Sequence, residues 1–215
     1  DARRPLHEAK AILVGQGSVG KTSLVKRIVE DDFNEQESKT EGIKISKWKV
    51  KGEEDNKISL NIWDFGGQEI MHATHQFFLT KRSLYVLVLD SRISQEENRL
   101  EYWLKIIQSF GGDAPIILVG NKIDQQPLDI DIRGLQKKYP QIKAILETSC
   151  ADGSGIEELR AKIAKEIAQL PHINDELPAK WFNIKDALAE RDDNYLPYND
   201  YIKICEEHDV SDETS

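Results

Sequence analysis

A glycine-rich segment, residues 15–22, has the residue types and spacing that bind phosphate groups. It reads Gly-Gln-Gly-Ser-Val-Gly-Lys-Thr and fits the pattern G-x-x-x-x-G-K-[ST]. An apolar run at 11–14 precedes it, and apolar residues recur at helical spacing over 23–29. A turn from strand to helix directs backbone N–H groups into one concavity, where the helix dipole adds positive field. We expect Lys21 to reach the outer phosphates and the Thr22 hydroxyl to bind Mg²⁺. The predicted phosphate-contacting residues are Gly17, Ser18, Val19, Gly20, Lys21, Thr22 and Ser23.

Residues 121–124, Asn-Lys-Ile-Asp, follow an apolar run at 116–119 and could select the base. The Asp124 carboxylate can accept hydrogen bonds from N1–H and the 2-amino group of guanine. Adenine offers neither donor, and a charged group left unpaired costs about 1–3 kcal/mol or more. The Lys122 stem could lie over the purine face, and Asn121 could tie this segment to the phosphate site. Taken alone, the four residues fit a polar turn equally well; after a phosphate-binding segment, they favour guanine.

Residues 64–68, Asp-Phe-Gly-Gly-Gln, follow a run of alternating apolar residues at 58–63. Asp64 is placed to bind Mg²⁺ through water, and Gly67 could offer its backbone N–H to a γ-phosphate. Gln68 could orient an attacking water. The alternative is a glycine turn followed by a surface glutamine.

A third polar segment follows the last apolar run, at Ser149, Cys150 and Ala151. A turn there could direct backbone N–H groups at guanine O6, although an ordinary helix N-terminus would look the same. We interpret Cys150 as a packed residue and not a nucleophile, because no histidine lies near it in the sequence.

The elements that must position these segments alternate between apolar runs and helical patterns. This alternation predicts an α/β fold, a mostly parallel six-stranded sheet with helices on both faces. Ligands bind such sheets at the carboxyl ends of the strands, where all these segments fall. The predicted strands are 11–14, 43–50, 58–63, 84–89, 116–119 and 144–146, with a hairpin connection at 52–56. The predicted helices of this domain cover 23–29, 100–107 and 156–170.

Length, charge and cysteine content limit the classes of function. The 215 residues suffice for one domain and part of another, and the net charge of −9 argues against nucleic-acid binding. We expect no membrane anchor, because the chain has no spanning apolar run, signal peptide or prenylation box. Two cysteines without metal spacing, Cys150 and Cys205, indicate reduced thiols and a cytoplasmic location. Both ends look like cuts in a longer protein.

The composition changes after Leu170, which predicts a second structural region. We assign residues 9–170 to the first domain and 171–178, which is bounded by prolines, to a linker. Two helical patterns within 179–215 are too short to form a domain of their own and predict a helical C-terminal extension, the start of a truncated domain.

Together these motifs resemble the Ras-like small GTPases over residues 9–170, and in particular the Roc GTPase domain of Roco proteins. The resemblance to Roc lies in residues 65–78, which are similar to its second switch region. It implies that Thr40, at the separation from Lys21 typical of Ras, binds Mg²⁺ and senses the γ-phosphate. It also implies that Phe33 packs on the guanine edge, although a core aromatic at a helix end remains the alternative.

The resemblance implies a molecular switch that binds guanine nucleotides and hydrolyses GTP to GDP and phosphate with Mg²⁺. Lys21 and Gln68 are then the catalytic residues. Residues 31–42 contain no arginine, so turnover is expected to be slow, on the order of 10⁻⁴ to 10⁻² s⁻¹. Arg82, Arg92 and Arg99 are candidates to reach the phosphates of a partner across a dimer. The alternative is that each is a solvated surface charge.

The tail from Pro178 resembles the start of the COR domain that follows Roc. This similarity implies an adjacent COR domain, a homodimer, neighbouring leucine-rich repeats and an effector. Two other functions stay open. One is a nucleotide-dependent dimerisation or scaffolding module with incidental hydrolysis; the other is an ATP-using P-loop enzyme, which residues 121–124 disfavour.

The chain departs from the family pattern at a few positions. Ser18 replaces a common glycine, which should be tolerated, and Gly66 replaces a common alanine, which is expected to loosen the second switch. His72 and His75 lack further metal-type ligands at suitable spacing, so we interpret them as exposed or capping side chains and not as a zinc site.

Overall fold

The structure, a computed structural model, describes residues 2–38, 40, 42–51, 57–66, 78–191, 193 and 195–210. Its strands are β1 Arg3–Pro5, β2 Glu8–Val14, β3 Ile43–Lys51, β4 Lys57–Phe65, β5 Leu84–Asp90, β6 Ile116–Asn121, β7 Ile142–Thr148 and β8 Glu176–Pro178. Its helices are α1 Lys21–Glu30, α2 Leu100–Gly111, α3 Ile132–Lys138, α4 Ile156–Ala168, α5 Ala179–Ala189 and α6 Tyr198–Glu207. The chain divides into two units, one covering His7–Ile173 and the other formed by the residues before and after it.

The larger unit is built on a six-stranded sheet in the order β3-β4-β2-β5-β6-β7. β2 pairs in parallel with β4 and β5, and β6 pairs in parallel with β5 and β7. Only the pairing of β3 with β4 is antiparallel among these described strands. The prediction of a mostly parallel six-stranded sheet is therefore confirmed. The predicted hairpin connection at 52–56 lies outside the described residues.

Helices cover both faces of this sheet, as the sequence pattern predicts. α1 and α4 pack on one face, where Leu24 and Ile28 of α1 are fully buried, and α2 and α3 pack on the other. α2 contributes Trp103 and Leu104 to that second core. Apolar residues at this spacing share one side of a helix, and each buried leucine or isoleucine contributes about 1.5–3 kcal/mol. β5 is buried along its whole length, because its two faces are both covered.

The larger unit differs from the sequence prediction in one helix and in the bounds of several strands, of which β7 is an example. Helix α3 is not predicted; it is short, and within it only Leu135 is buried, so it carries almost no apolar periodicity. Its start is marked instead by Asp131, whose side chain accepts a hydrogen bond from the Gly134 N–H at 3.0 Å. β7 extends on both sides of the predicted 144–146, because the register with β6 continues to Thr148.

The smaller unit joins the two ends of the chain. β1 and β8 pair antiparallel, with Arg3 opposite Pro178 and Pro5 opposite Glu176. Within residues 171–178, the predicted linker, three residues form β8. A strand of three residues is too short to show an apolar period, and its partner β1 lies at the other end of the chain. α5 and α6 follow, and the Arg4 guanidinium lies 4.0 Å from the centre of the Phe182 ring. None of the helices in the described part of the chain is both long and apolar enough to cross a bilayer.

Candidate functional site

Polar or glycine-rich segments follow the carboxyl ends of the parallel strands and meet at one edge of the sheet. Residues 15–20 follow β2, and Asp64 lies near the end of β4. Asp90 ends β5, Asn121 ends β6, and residues 149–151 follow β7. The predicted phosphate, metal and base segments are thus brought to one place by the parallel topology.

The loop between β2 and α1 requires glycine at two positions. Gly15 has φ of 141°, and a Cβ there would lie 2.2 Å from the Val88 carbonyl oxygen. Gly20 has φ of 95°, and its Cβ would lie 2.4 Å from Asn121 Nδ2. Ser18 adopts φ of 64°, a left-handed conformation that costs a non-glycine residue about 1–2 kcal/mol. The loop backbone therefore packs closely against residues of β5 and β6 just before α1 begins.

Lys21 begins α1, and its side chain folds back over the loop. Its Nζ donates to the Gly15 carbonyl oxygen at 3.0 Å and to the Gln16 carbonyl oxygen at 2.8 Å. Burial lowers the pKa of Lys21 to about 8, and the nearby Asp64 carboxylate opposes part of that shift. The side chain is only 5% exposed, so a positive group is held in a largely desolvated position at the edge of the loop.

Three side-chain oxygens converge beside Lys21. The Thr22 and Thr40 hydroxyl oxygens are 2.6 Å apart. The Thr22 hydroxyl donates to Asp64 Oδ2 at 2.6 Å, and the Thr40 hydroxyl donates to the same oxygen at 3.4 Å. Thr40 lies in the connection between α1 and β3, so one carboxylate joins that connection to the phosphate loop.

This cluster fits a magnesium ion. Asp64 Oδ1 is buried without a hydrogen-bond partner among the described residues. Burial raises the pKa of Asp64, while the bond from Thr22 and the charge of Lys21 lower it. Within the described ranges no three His, Cys, Asp or Glu side chains group together, so a cage built from such ligands is not seen there. Mg²⁺ prefers one or two protein oxygens together with water and phosphate oxygens, and this site offers that donor set.

Gly66 follows β4 directly, and its backbone packs against the segment that carries Thr40. Its N–H donates to the Gly42 carbonyl oxygen at 3.0 Å, and a Cβ at position 66 would lie 2.4 Å from the Thr40 carbonyl oxygen. From the sequence, glycine in place of alanine at position 66 is expected to loosen the second switch. In the structure, the absence of a methyl group allows the backbone of Gly66 to approach the backbone of Thr40.

We expect Gly66→Ala to lower the free energy of unfolding by about 1–3 kcal/mol, because the added methyl group overpacks against the Thr40 carbonyl. Urea unfolding of the variant and the unsubstituted chain measures this difference. A gain of about 0.4–1 kcal/mol, the ordinary result of removing a glycine from the unfolded chain, would show that the contact does not constrain position 66.

The segment predicted to select the base, residues 121–124, is tied to the phosphate loop by two side chains. Asn121 Nδ2 donates to the Val19 carbonyl oxygen at 2.9 Å, and Lys122 Nζ donates to the Ser18 carbonyl oxygen at 2.7 Å. Asp124 is exposed beyond them, and its Oδ1 accepts a hydrogen bond from the Ser149 hydroxyl at 2.7 Å. Ser149 thus orients one oxygen of the exposed Asp124 carboxylate at this edge of the sheet.

Asp90 belongs to this site, although the sequence motifs did not reveal it. Its carboxylate lies 2.8 Å from Lys122 Nζ and pairs with Arg92 through Nε at 2.9 Å and Nη2 at 2.7 Å. Burial alone would raise the pKa of Asp90, but the bonds from Arg92 and Lys122 outweigh it and lower the pKa to about 2. The sequence signal that could have indicated Asp90 is its position as a carboxylate at the end of the apolar run that forms β5.

The three arginines considered for a role across a dimer lie in different surroundings. The Arg92 guanidinium is engaged by Asp90, as described above. Arg99 lies 4.1 Å from the centre of the Tyr102 ring at the start of α2, and Arg82 is exposed in the turn before β5. Their roles across a dimer stay a prediction.

Arg27 of α1 is a second residue that the sequence reasoning missed. Its guanidinium donates to the Cys150 carbonyl oxygen at 2.7 Å and lies 5.7 Å from the centre of the half-buried Phe33 ring. Burial raises the pKa of the Cys150 thiol to about 11, which suits a packed residue and not a nucleophile. The remaining predicted site residues, Gly67 and Gln68, and the two histidines, His72 and His75, lie outside the described residues.

Comparison with known proteins decides the family. Residues 10–124 match the family model described as "Ras of Complex, Roc, domain of DAPkinase". The chain belongs to the Roc family. Roc domains are Ras-like GTPases, so the predicted resemblance is confirmed, together with the P-loop character of the fold.

Relatives of this Roc chain are larger proteins. It is 32% identical to the probable serine/threonine-protein kinase pats1 of Dictyostelium discoideum, over 96% of this chain and 7% of that protein. It is 29% identical to a Roc-COR-CHAT protease of Runella zeae, over 98% of this chain and 25% of that protein. The chain thus spans a quarter or less of the length of these two curated relatives.

A solved structure resembles the Roc chain closely. It is Roco2 RocCORdC of Methanosarcina barkeri bound to GDP, with a TM-score of 0.85 and 48% sequence identity. The similarity covers 96% of this chain and 63% of that one. Its fold agrees with the six-stranded sheet and helical extension found here.

Proposed function

We propose that this Roc chain is a guanine-nucleotide switch that hydrolyses GTP to GDP and phosphate with Mg²⁺. The observation that carries the proposal is the hydrogen bond from Asn121 to the Val19 carbonyl oxygen. It holds the segment that contains Asp124 beside the phosphate loop, so that one nucleotide could reach both. The GDP bound to the related Roco2 structure supports the same nucleotide class.

In this proposal the chain acts by positioning and by neutralising charge. Lys21 and the N–H groups of residues 17–23 hold the β- and γ-phosphates, and Asp124 selects guanine. Within residues 149–151 the Ser149 N–H donates to the Ser154 carbonyl oxygen at 3.0 Å, so the N–H groups that follow it contact guanine O6. Phe33 covers the edge of the base. Thr22 and Thr40 would ligate Mg²⁺ with Asp64 behind them, and the bound ion would neutralise phosphate charge.

Hydrolysis is proposed to be slow and to control two segments. Gln68 orients the attacking water and Gly67 contacts the γ-phosphate, roles that rest on their sequence positions after Asp64. Without an arginine supplied to the phosphates, turnover should be on the order of 10⁻⁴ to 10⁻² s⁻¹. Loss of the γ-phosphate would release Thr40 and Gly67, so both segments would relax.

We further propose that the chain is part of a multidomain cytoplasmic signalling protein. Residues 9–170 form its GTPase domain, and 179–215 begin a COR-like domain after the connection at 171–178. The Roc-COR relatives support an adjacent COR domain. A homodimer, leucine-rich repeats and an effector complete the proposal. The buried, free thiols of Cys150 and Cys205 are compatible with a reducing compartment.

Competitive binding of GTP, GDP and ATP in the presence of Mg²⁺ tests the proposed function. We expect GTP and GDP to displace a fluorescent GDP analogue, and ATP to require a concentration roughly 10⁴-fold higher, because adenine leaves Asp124 unpaired. ATP serves as the matched control, since it presents the same triphosphate. Comparable displacement by ATP and GTP would instead favour an ATP-using P-loop protein.

A further inference from the structure

Arg27 joins two segments that the proposed function places around the guanine base. Its Nε donates to the Cys150 carbonyl oxygen at 2.7 Å, and its Nη2 donates to the Ala151 carbonyl oxygen at 3.2 Å. The side chain is only 17% exposed; its bond to Cys150 is partly buried, and its bond to Ala151 lies at the surface. A guanidinium bonded to two successive carbonyls fixes the orientation of both peptide planes.

The orientation of those peptide planes determines where their N–H groups point. The described peptide bonds are trans, so the N–H of each following residue points away from the carbonyl. The N–H groups of Ala151 and Asp152 therefore face away from Arg27. The Asp152 N–H lies 3.4 Å from the Ser149 hydroxyl oxygen, and that hydroxyl donates to Asp124. The N–H side of the loop is thus the side of the base-selecting carboxylate.

The same guanidinium also holds the chain where it leaves α1. Arg27 Nη1 donates to the Asp31 carbonyl oxygen at 3.1 Å, and Asp31 adopts φ of 55° at the end of the helix. This left-handed residue turns the chain toward Phe33, whose ring centre is 5.7 Å from the guanidinium carbon. One side chain therefore contacts both the loop at O6 and the segment that carries the aromatic residue.

We propose that Arg27 is a positioning residue for guanine recognition: it aligns the Ala151 N–H with O6 of the base. The neighbouring N–H groups of Ser149 and Asp152 already donate within the loop, to the Ser154 carbonyl oxygen and to the Ser149 hydroxyl oxygen. The inference rests on the proposed binding of GDP. Arg27 does not touch the base itself, so it acts through the backbone of the loop. Its removal should weaken recognition of O6 and leave recognition of the 2-amino group by Asp124 largely intact.

Two nucleotide analogues separate these contacts. In 6-thio-GDP, sulfur, a weaker acceptor, replaces O6, and IDP lacks only the 2-amino group. Affinities for GDP, 6-thio-GDP and IDP are measured for the unsubstituted chain, Arg27→Met and Arg27→Lys. The control is Arg160→Met, because Arg160 donates to the Ile28 carbonyl oxygen at 3.0 Å and holds the same helix end.

We expect the unsubstituted chain to prefer GDP over 6-thio-GDP, and Arg27→Met to reduce that preference by about tenfold, the size of one lost hydrogen bond. The preference for GDP over IDP should change less than about twofold. Arg27→Lys, which offers one nitrogen in place of the planar fork, should fall between. Arg160→Met should keep both preferences, even where its melting temperature falls as far as that of Arg27→Met.

Other outcomes overturn the inference. An unaltered preference for GDP over 6-thio-GDP in both Arg27 variants would show that Arg27 only stabilises the fold. Equal affinities for these two nucleotides in the unsubstituted chain would remove the contact at O6. If Arg27→Met does not fold, Arg27→Lys decides alone. If the unsubstituted chain does not bind GDP at all, the proposed function fails together with the role of Arg27. If it binds GDP but the other outcomes above are found, only the role of Arg27 fails.

Discussion

Lys21→Ala is expected to weaken binding of GTP and GDP by about 100-fold or more. The substitution removes a buried positive charge and leaves the carbonyl oxygens of Gly15 and Gln16 without the donor that now holds them. Hydrogen bonds to charged groups contribute about 1.5–3 kcal/mol each, and Lys21 would make more than one to the outer phosphates. Isothermal titration with GDP and Mg²⁺ measures the loss.

The control for this substitution is Lys105→Ala, which removes an exposed positive charge from helix α2. It changes the net charge by the same amount and should leave affinity within about twofold, because exposed charges are screened by solvent. Thermal unfolding of both variants shows whether they are folded. An affinity of folded Lys21→Ala within threefold of the unsubstituted chain would refute the phosphate site.

Asp124→Asn is expected to change the preferred base from guanine to xanthine. In the proposed site the carboxylate would accept from N1–H and the 2-amino group of guanine, whereas an asparagine amide can donate to the 2-oxo group of xanthine. The Ser149 hydroxyl, 2.7 Å from Asp124 Oδ1, can still bind the amide oxygen, so the side chain keeps its orientation. We expect the ratio of GDP to XDP affinity to fall by about 10³-fold.

Asp129→Asn is the matched control for the change of base. It removes the same charge from an exposed position in the same connection between β6 and α3. Competition of GDP and XDP for a fluorescent nucleotide gives the ratio for each variant. A ratio in Asp124→Asn equal to that in Asp129→Asn would mean that Asp124 does not contact the base.

Several parts of the fold could be predicted because they depend on local chemistry. β5 and β6 are continuous apolar runs, and a strand with both faces covered needs apolar residues at every position. α1 and α4 repeat apolar residues at helical spacing. α3 and β8 could not be predicted in this way, since neither is long enough to show a period and β8 pairs with β1 across most of the chain.

The candidate site divides in the same manner. Lys21, Thr22 and Asp124 stand in motifs whose spacing is set along the chain, and the motifs directed attention to them at once. Arg27 and Asp90 carry no such pattern. Arg27 is an ordinary polar position on an amphipathic helix until the chain brings it to the carbonyl oxygen of Cys150.

By itself, then, the sequence determined the family and the mostly parallel six-stranded sheet, and it supplied the residues that we propose contact phosphate and metal. Each of these follows from a glycine, hydroxyl, carboxylate or apolar residue acting within a few positions of its neighbours. Only the tertiary structure decided which distant groups orient them: Arg27 against the loop after β7, Asp90 against Lys122, and the bare Gly66 backbone against Thr40. Such contacts depend on side chains and backbones that the parallel sheet brings within a few ångströms, and spacing along the chain does not encode them.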